Sequence, residues 1–333
     1  MKTAQKIMKA AAVVLLVFTV LVTACQSTGN VKRDSEAVRA VERGIAFFNN
    51  REFEKAIEEY DEAIGLEPKW AEAYIHRGYA YFCYAYFGEG SSEHFYFADM
   101  DYRTAAELNS KYQDFSQGYT YSGEGDDAKA IEVFSRAIQN RINLMYSYYY
   151  RGFSYTRIGE FQKAIADYTE VIKLNPDFSE YYISRANNYI RIGQLNNAVA
   201  DADRAIQLFP NSSGYYTKGM AYIFKKEYSH AVTDFDQALL LNPNWIDAYG
   251  MRGYAYSQWG NYTKALDDYT SAINLFSDPE EATPSLYTSR SECYLMIGDY
   301  NKALADIDMA LKLDPESEDA MFLRIRIREQ LSN

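Results

Sequence analysis

The side chains best suited to chemistry are few and scattered. The chain of 333 residues holds three histidines, His76, His94 and His230, and three cysteines, Cys25, Cys83 and Cys293. A zinc or transition-metal site draws such ligands from short, repeated spacings. None of these histidines has a second histidine or a cysteine at ligand spacing. Gly88-Glu89-Gly90 and Gly123-Glu124-Gly125 follow no strand pattern and read as turn glycines, not as phosphate loops. There is no P-loop and no nucleophile elbow. Glu124, Asp126 and Asp127 form an acid cluster that a cation would suit. Acids at the start of a helix are more simply explained by its dipole. The expectation is no catalytic residue, no metal and no cofactor.

What the chain does have in quantity is tyrosine, 32 residues, on an acidic background of formal charge -12. That charge excludes a nucleic-acid backbone as partner, since such a partner calls for a basic face. The rings recur with small residues on a fixed period. Met145 to Phe178 shows it most fully, with Tyr148, Arg151, Gly152, Tyr155, Gly159, Ala164, Tyr168 and Pro176 as its skeleton. Gly152 and Ala164 let two antiparallel helices approach closely, and Tyr155 and Tyr168 fill the space one turn away. Gly159 sits in the turn, where a positive φ is cheap only for glycine. Asn175-Pro176 ends the second helix because proline cannot continue it. One such hairpin cannot bury its apolar face alone, so copies must stack.

This skeleton, W/Y-x2-L/R-G-x2-Y then A-x3-F/Y then P, resembles the tetratricopeptide repeat. The resemblance implies an all-α fold: a right-handed superhelical solenoid of about eight helix hairpins plus a C-terminal capping helix. The eight copies occupy residues 37–70, 71–110, 111–144, 145–178, 179–211, 212–245, 246–279 and 284–317, within a repeat region 36–317. Residues 318–333 read as the cap, a helix of alternating charge that solvates the open end. The third copy is the weakest, with Asp114 at the first aromatic position. The second carries eight extra residues between Tyr81 and Ala98. They predict a longer first helix and a projecting loop that displays Tyr84, Tyr86, Phe87, Phe95 and Tyr96. Cys83 and Cys293 lie too many repeats apart for a disulfide, and Cys293 reads as a small core residue.

Residues 1–24 are a separate object. Lys2, Lys6 and Lys9 precede an apolar run from Ala10 to Val20, too short to span a membrane and flanked like a signal peptide. Leu21 to Cys25 resembles a bacterial lipobox, which implies that Cys25 is lipidated and becomes the mature N-terminus. Residues 25–35 are then a lipidated cysteine and a flexible tether, with Ser35 as the N-cap of the first helix. The implied location is the outer side of the cytoplasmic membrane. Gln26, rather than Asp, after the cysteine favours the outer membrane where the cell has one.

Known repeats of this kind present particular first-helix positions to their concave face. Carried over by position, the resemblance implies a groove lined by Tyr79, Phe82, Tyr112, Phe115, Tyr119, Tyr146, Tyr149, Phe153, Arg157, Asn187, Arg191, Tyr216, Met220, Phe224 and Tyr254. Such an aromatic trough suits a protein or peptide partner of the cell envelope, held by a scaffold that is no enzyme. A carbohydrate or peptidoglycan ligand, or a role as accessory subunit of an envelope enzyme or assembly complex, is the alternative. The charge pattern adds one internal expectation. Seven repeats carry a base just before the small residue of the first helix: Arg43, Arg77, Arg151, Arg185, Lys218, Arg252 and Arg290. The same seven carry an acid just before the large residue of the second: Glu59, Asp101, Asp167, Asp201, Asp234, Asp268 and Asp306. The third repeat has Gln117 and Val133 there instead, so the charges vanish together. They should therefore pair within each hairpin, because a buried charge without its partner is costly.

Overall fold

Small and large residues alternate along each helix of the repeat, and that alternation decides the packing. In the computed structural model, which describes residues 33–88 and 90–332, each repeat is a pair of antiparallel α-helices. The lipobox, Cys25 and most of the tether lie outside the described residues. The pairs are α1 (Ser35–Asn49) with α2 (Phe53–Leu66), α3 (Ala71–Phe87) with α4 (Glu93–Leu108), and α5 (Gln113–Glu124) with α6 (Asp127–Gln139). They continue with α7 (Leu144–Arg157) and α8 (Phe161–Leu174), α9 (Ser179–Arg191) and α10 (Leu195–Leu208), and α11 (Ser212–Lys225) and α12 (Tyr228–Leu241). The last are α13 (Ile246–Gln258) with α14 (Tyr262–Asn274), and α15 (Pro284–Met296) with α16 (Tyr300–Leu313), before the single helix α17 (Glu318–Ser332). The fold is all-α: no strand occurs among the described residues. The chain divides after Asn188 into two compact units.

Close approach explains the glycines of the first helices. A Cβ on Gly44 would stand 2.4 Å from the Tyr60 ring, on Gly118 2.7 Å from Phe134, and on Gly219 2.8 Å from Phe235. The eighth repeat replaces the glycine by Ser291, whose hydroxyl donates to the Ala303 carbonyl at 2.7 Å. Its second helix carries Ile307 where six of the others carry a ring and the fifth carries Ala202. At the hairpin turns Gly125, Gly159, Gly193, Gly260 and Gly298 all have positive φ. Arg51 takes the same conformation at φ 62° in the first repeat, a strain of roughly 1 kcal/mol for a residue with a Cβ. Its guanidinium there donates to the Phe87 carbonyl and pairs with Glu180 of α9.

The expected intra-hairpin pairs form in at least six repeats. Arg151 donates from Nε and Nη2 to the two carboxylate oxygens of Asp167 at 2.8 and 2.7 Å. Arg77 grips Asp101, Arg252 grips Asp268 and Arg290 grips Asp306 in the same two-pronged way. Arg43 reaches Glu59 through Nε at 2.7 Å, and Lys218 stands 3.5 Å from Asp234. A lysine cannot match the arginine fork. Burial therefore pushes the Asp234 carboxyl up to about 6, against the weaker pull of Lys218. The third arginine nitrogen adds a contact the repeat pattern does not announce. Nη1 reaches back to the preceding hairpin, from Arg77 to Asp61, from Arg151 to Ser135 and from Arg252 to Asp236. Each such arginine thus ties three helices. The third repeat has its own pair with the charges exchanged between helices, Arg136 of α6 on Asp114 of α5 at 2.9 Å.

Three expectations change. The N-cap of α1 is Asp34, whose carboxylate accepts from the Glu36 amide at 2.7 Å, so the cap lies one residue before Ser35. The insertion makes no projecting loop. Its residues lengthen both helices of the second hairpin, leaving only 88–92 between α3 and α4. Tyr84, Phe87 and Phe95 pack against the core, because rings of that size gain more by burial than by display. Finally, α17 buries Ala320, Leu323 and Ile327 but leaves Phe322 and Ile325 exposed on its outer side. It covers the last hairpin without presenting a purely polar face.

Candidate functional site

The proposed concave residues separate by unit. In the N-terminal unit the first helices curve so tightly that their inner rings meet. Tyr79 of α3 lies 4.4 Å from Tyr146 of α7, centroid to centroid, and 5.5 Å from Tyr149. Phe82 lies 5.0 Å from Tyr150, and Phe48 of α1 lies 4.6 Å from Phe178 at the end of the fourth repeat. Asn175 donates across the same gap to Asn49 at 3.1 Å. Tyr79, Phe82, Tyr112, Phe115, Tyr119, Tyr146 and Tyr149 are consequently buried. They form an aromatic core and not an open trough. The cause is size: each ring removes on the order of 150–250 Å² from water when enclosed, and edge-to-face neighbours are available on every side. His76 packs beside them, half-buried. Its Nδ1 bonds the Tyr146 hydroxyl at 2.7 Å and its ring stacks on Tyr60, and desolvation lowers its pKa to about 4.

In the C-terminal unit the same helix positions stay accessible. Phe224 is 57% exposed and Tyr254 39% exposed, and Arg191 is exposed beside them in the sequence pattern. Tyr216 and Met220 are half-buried, with Tyr216 stacked on Trp245 at 4.5 Å. Asn187, in the N-terminal unit, is also exposed.

The lengthened second hairpin builds a pocket of about 560 Å³ in the N-terminal unit. Its floor is Phe82, Tyr119 and Tyr150, and its walls are Tyr86, Phe95, Tyr96 and Phe153. Tyr86 is 50% and Tyr96 63% exposed, although both are large rings. Tyr86 lies parallel to Phe82, 5.6 Å away and tilted by 10°, and stands edge-on to Phe153 at the same distance. The polar part of the lining is Asp99, Arg103, Thr120, Glu124 and Arg157. Asp99 accepts from the Thr120 hydroxyl at 3.1 Å and pairs with Arg103 Nε at 2.7 Å. Arg157 is held by Asp127 through Nε at 2.9 Å and donates from Nη1 to the Ser122 carbonyl at 2.8 Å. Its guanidinium lies 5.6 Å from the Phe153 ring centroid.

The pocket thus joins two groups the sequence kept apart: the concave positions Phe82, Tyr119, Phe153 and Arg157, and the insertion rings Tyr86, Phe95 and Tyr96. Asp99, Arg103 and Thr120 were not legible as site residues. The only signal for Asp99 and Arg103 was a second helix longer than its neighbours, and Thr120, on α5, had none. Two of the three acids in the cluster are held by other contacts. Asp126 caps α6 by accepting from the Lys129 amide, and Asp127 is the partner of Arg157. Cys83 and Cys293 are buried free thiols. Desolvation pushes the Cys293 thiol up to about 12 and Cys83 well above its usual value. Neither is an activated nucleophile.

Comparison with known proteins agrees with the fold. One tetratricopeptide-repeat profile matches residues 146–178, another matches 179–212, 212–244 and 246–279, and a TPR-repeat profile matches 44–82. Together they span just over half of the chain. Among solved structures, the APC/C hetero-tetramer Cut9-Hcn1 superposes with a TM-score of 0.67 at 16% identity, over 91% of this chain and 57% of the other. A tetratricopeptide repeat protein from Parabacteroides merdae ATCC 43184 superposes with a TM-score of 0.50 at 17% identity, over 89% of this chain and all of the other. At those identities the likeness is one of fold. A search of the curated proteins finds no match.

Proposed function

Because this chain belongs to the tetratricopeptide-repeat proteins, whose fold is a protein-interaction scaffold, we propose that it is a lipid-anchored binding scaffold of the bacterial cell envelope, without catalysis. It holds a segment of another envelope protein on the first-helix face of its C-terminal unit. One observation carries this reading: Tyr254 remains exposed at the repeat position that Tyr79 and Tyr119 bury in the N-terminal unit, and Phe224 is exposed as well. Large rings left in water on a repeat scaffold are the residues that anchor partners. The anchor rests on the lipobox-like Leu21 to Cys25, and two or more acyl chains on Cys25 would hold the protein stably at a membrane. Gln26 favours the outer membrane where the cell has one.

Two measurements test it. A photo-crosslinking residue at Phe224 or Tyr254, in cells, should capture the same envelope protein from both positions. Capture of glycan alone, or of nothing, overturns the partner assignment. Cys25→Ser should move the protein to the soluble fraction and leave its leader unprocessed. Unchanged membrane fractionation overturns the anchor and leaves the scaffold reading standing.

A further inference from the structure

The pocket under the lengthened second hairpin has a charge balance that selects its occupant. Arg157 is neutralised by Asp127 at 2.9 Å, and Arg103 by Asp99 at 2.7 Å. Glu124 is left over. It is exposed on the rim and makes no ion pair among the described residues. It is also the last residue of α5, where the helix dipole adds negative potential and an acid is disfavoured. The opening therefore carries net negative charge above a floor and walls of rings. A cation is attracted both by the carboxylate and by ring faces, with its apolar stem against the aromatic surface.

We propose that this pocket is a second binding site, separate from the open face of the C-terminal unit, and that it takes a basic, apolar peptide segment of a protein partner. A lysine or arginine of the segment sits at Glu124, and the adjoining large apolar side chain packs against the rings of Tyr86 and Phe153. Several observations favour this occupant over a neutral sugar or an acidic tail. The unpaired group on the rim is a carboxylate. The guanidinium groups that would receive a carboxylate are already bound to Asp99 and Asp127. The cavity of about 560 Å³ has room for a short segment and not for a long extended chain. The site exists only because the insertion adds a turn to α3 and α4. It is not part of the common repeat.

The test uses the full chain and two blocked peptides, acetyl-Leu-Lys-Phe-Lys-Leu-amide and the same peptide with glutamate for lysine, labelled for fluorescence anisotropy. The lysine peptide should bind and weaken as salt is raised, and the glutamate peptide should not. Glu124→Gln should weaken the lysine peptide by about fivefold, the range of one partly solvated ion pair. Tyr86→Ala should weaken it by about tenfold or more. Both residues are exposed, and circular dichroism with thermal melting checks that the variants fold. Should Tyr86→Ala fail that check, Glu124→Lys replaces it and should abolish binding. Phe224→Ala, in the other unit, should leave the affinity unchanged. Equal binding of the two peptides, no binding of either, or displacement of the lysine peptide by a peptidoglycan oligosaccharide overturns the proposal. A loss of binding in Phe224→Ala alone would assign the peptide to the open face instead.

Discussion

Acidification should loosen the N-terminal unit through His76. The imidazole is half-buried against Tyr60 and hydrogen-bonded to Tyr146, and burial lowers its pKa from 6.5 to about 4. The folded state therefore binds fewer protons than the unfolded chain between those two values. The stability that depends on neutral His76 is complete above pH 6.5 and is lost as pH falls toward 4. At about 1.36 kcal/mol per pKa unit, the full loss is about 3.4 kcal/mol, and about 2.5 kcal/mol is already lost near pH 4.5. Against a domain stability of about 5–15 kcal/mol that is a large share. The assay is urea unfolding of a Trp245→Phe, Trp259→Phe background, in which buried Trp70 alone reports the N-terminal unit. Midpoints are compared at pH 7.5 and 4.5, with and without His76→Gln. Other groups titrate in both proteins, so the difference between the two pH responses isolates His76. An identical pH response would refute the burial argued for this ring.

Two further outcomes test the packing. In a double-mutant cycle, Arg252→Met alone should cost about 3–5 kcal/mol by leaving Asp268 buried and unpaired. Replacing both residues by apolar ones should recover much of that, with a coupling of about 1–3 kcal/mol read from denaturant unfolding; absence of coupling removes the pairing argument. Gly219→Ala should cost about 1–3 kcal/mol, because its Cβ would stand 2.8 Å from the Phe235 ring. Gly65→Ala, with nothing within 4 Å of its Cβ, should instead stabilise by about 0.5 kcal/mol through helix propensity. Melting temperatures of the two variants moving in the same direction would contradict this.

Much of the architecture was legible in residue types alone. Gly44, Gly118 and Gly219 stand opposite Tyr60, Phe134 and Phe235, and a small residue facing a large one at fixed spacing permits one helix pairing. The joint absence of base and acid in the third repeat foretold the Arg151–Asp167 type of bond, since a buried charge constrains its partner's identity. These are contacts between neighbours in sequence, and the repeat period encodes them. The open or closed state of the inner face was not encoded in that way. Tyr79 and Tyr146 occupy the same repeat positions as residues that stay exposed in the C-terminal unit. What buries them is their approach to each other across an intervening repeat. That approach depends on small rotations between successive hairpins, and a motif common to all repeats does not specify them. The same holds for the pocket. The eight extra residues announced something unusual, but whether they would project or extend their helices depended on what lay opposite. Phe53 and Phe153 lay opposite, and the tertiary structure drew Tyr84 and Tyr86 in to meet them.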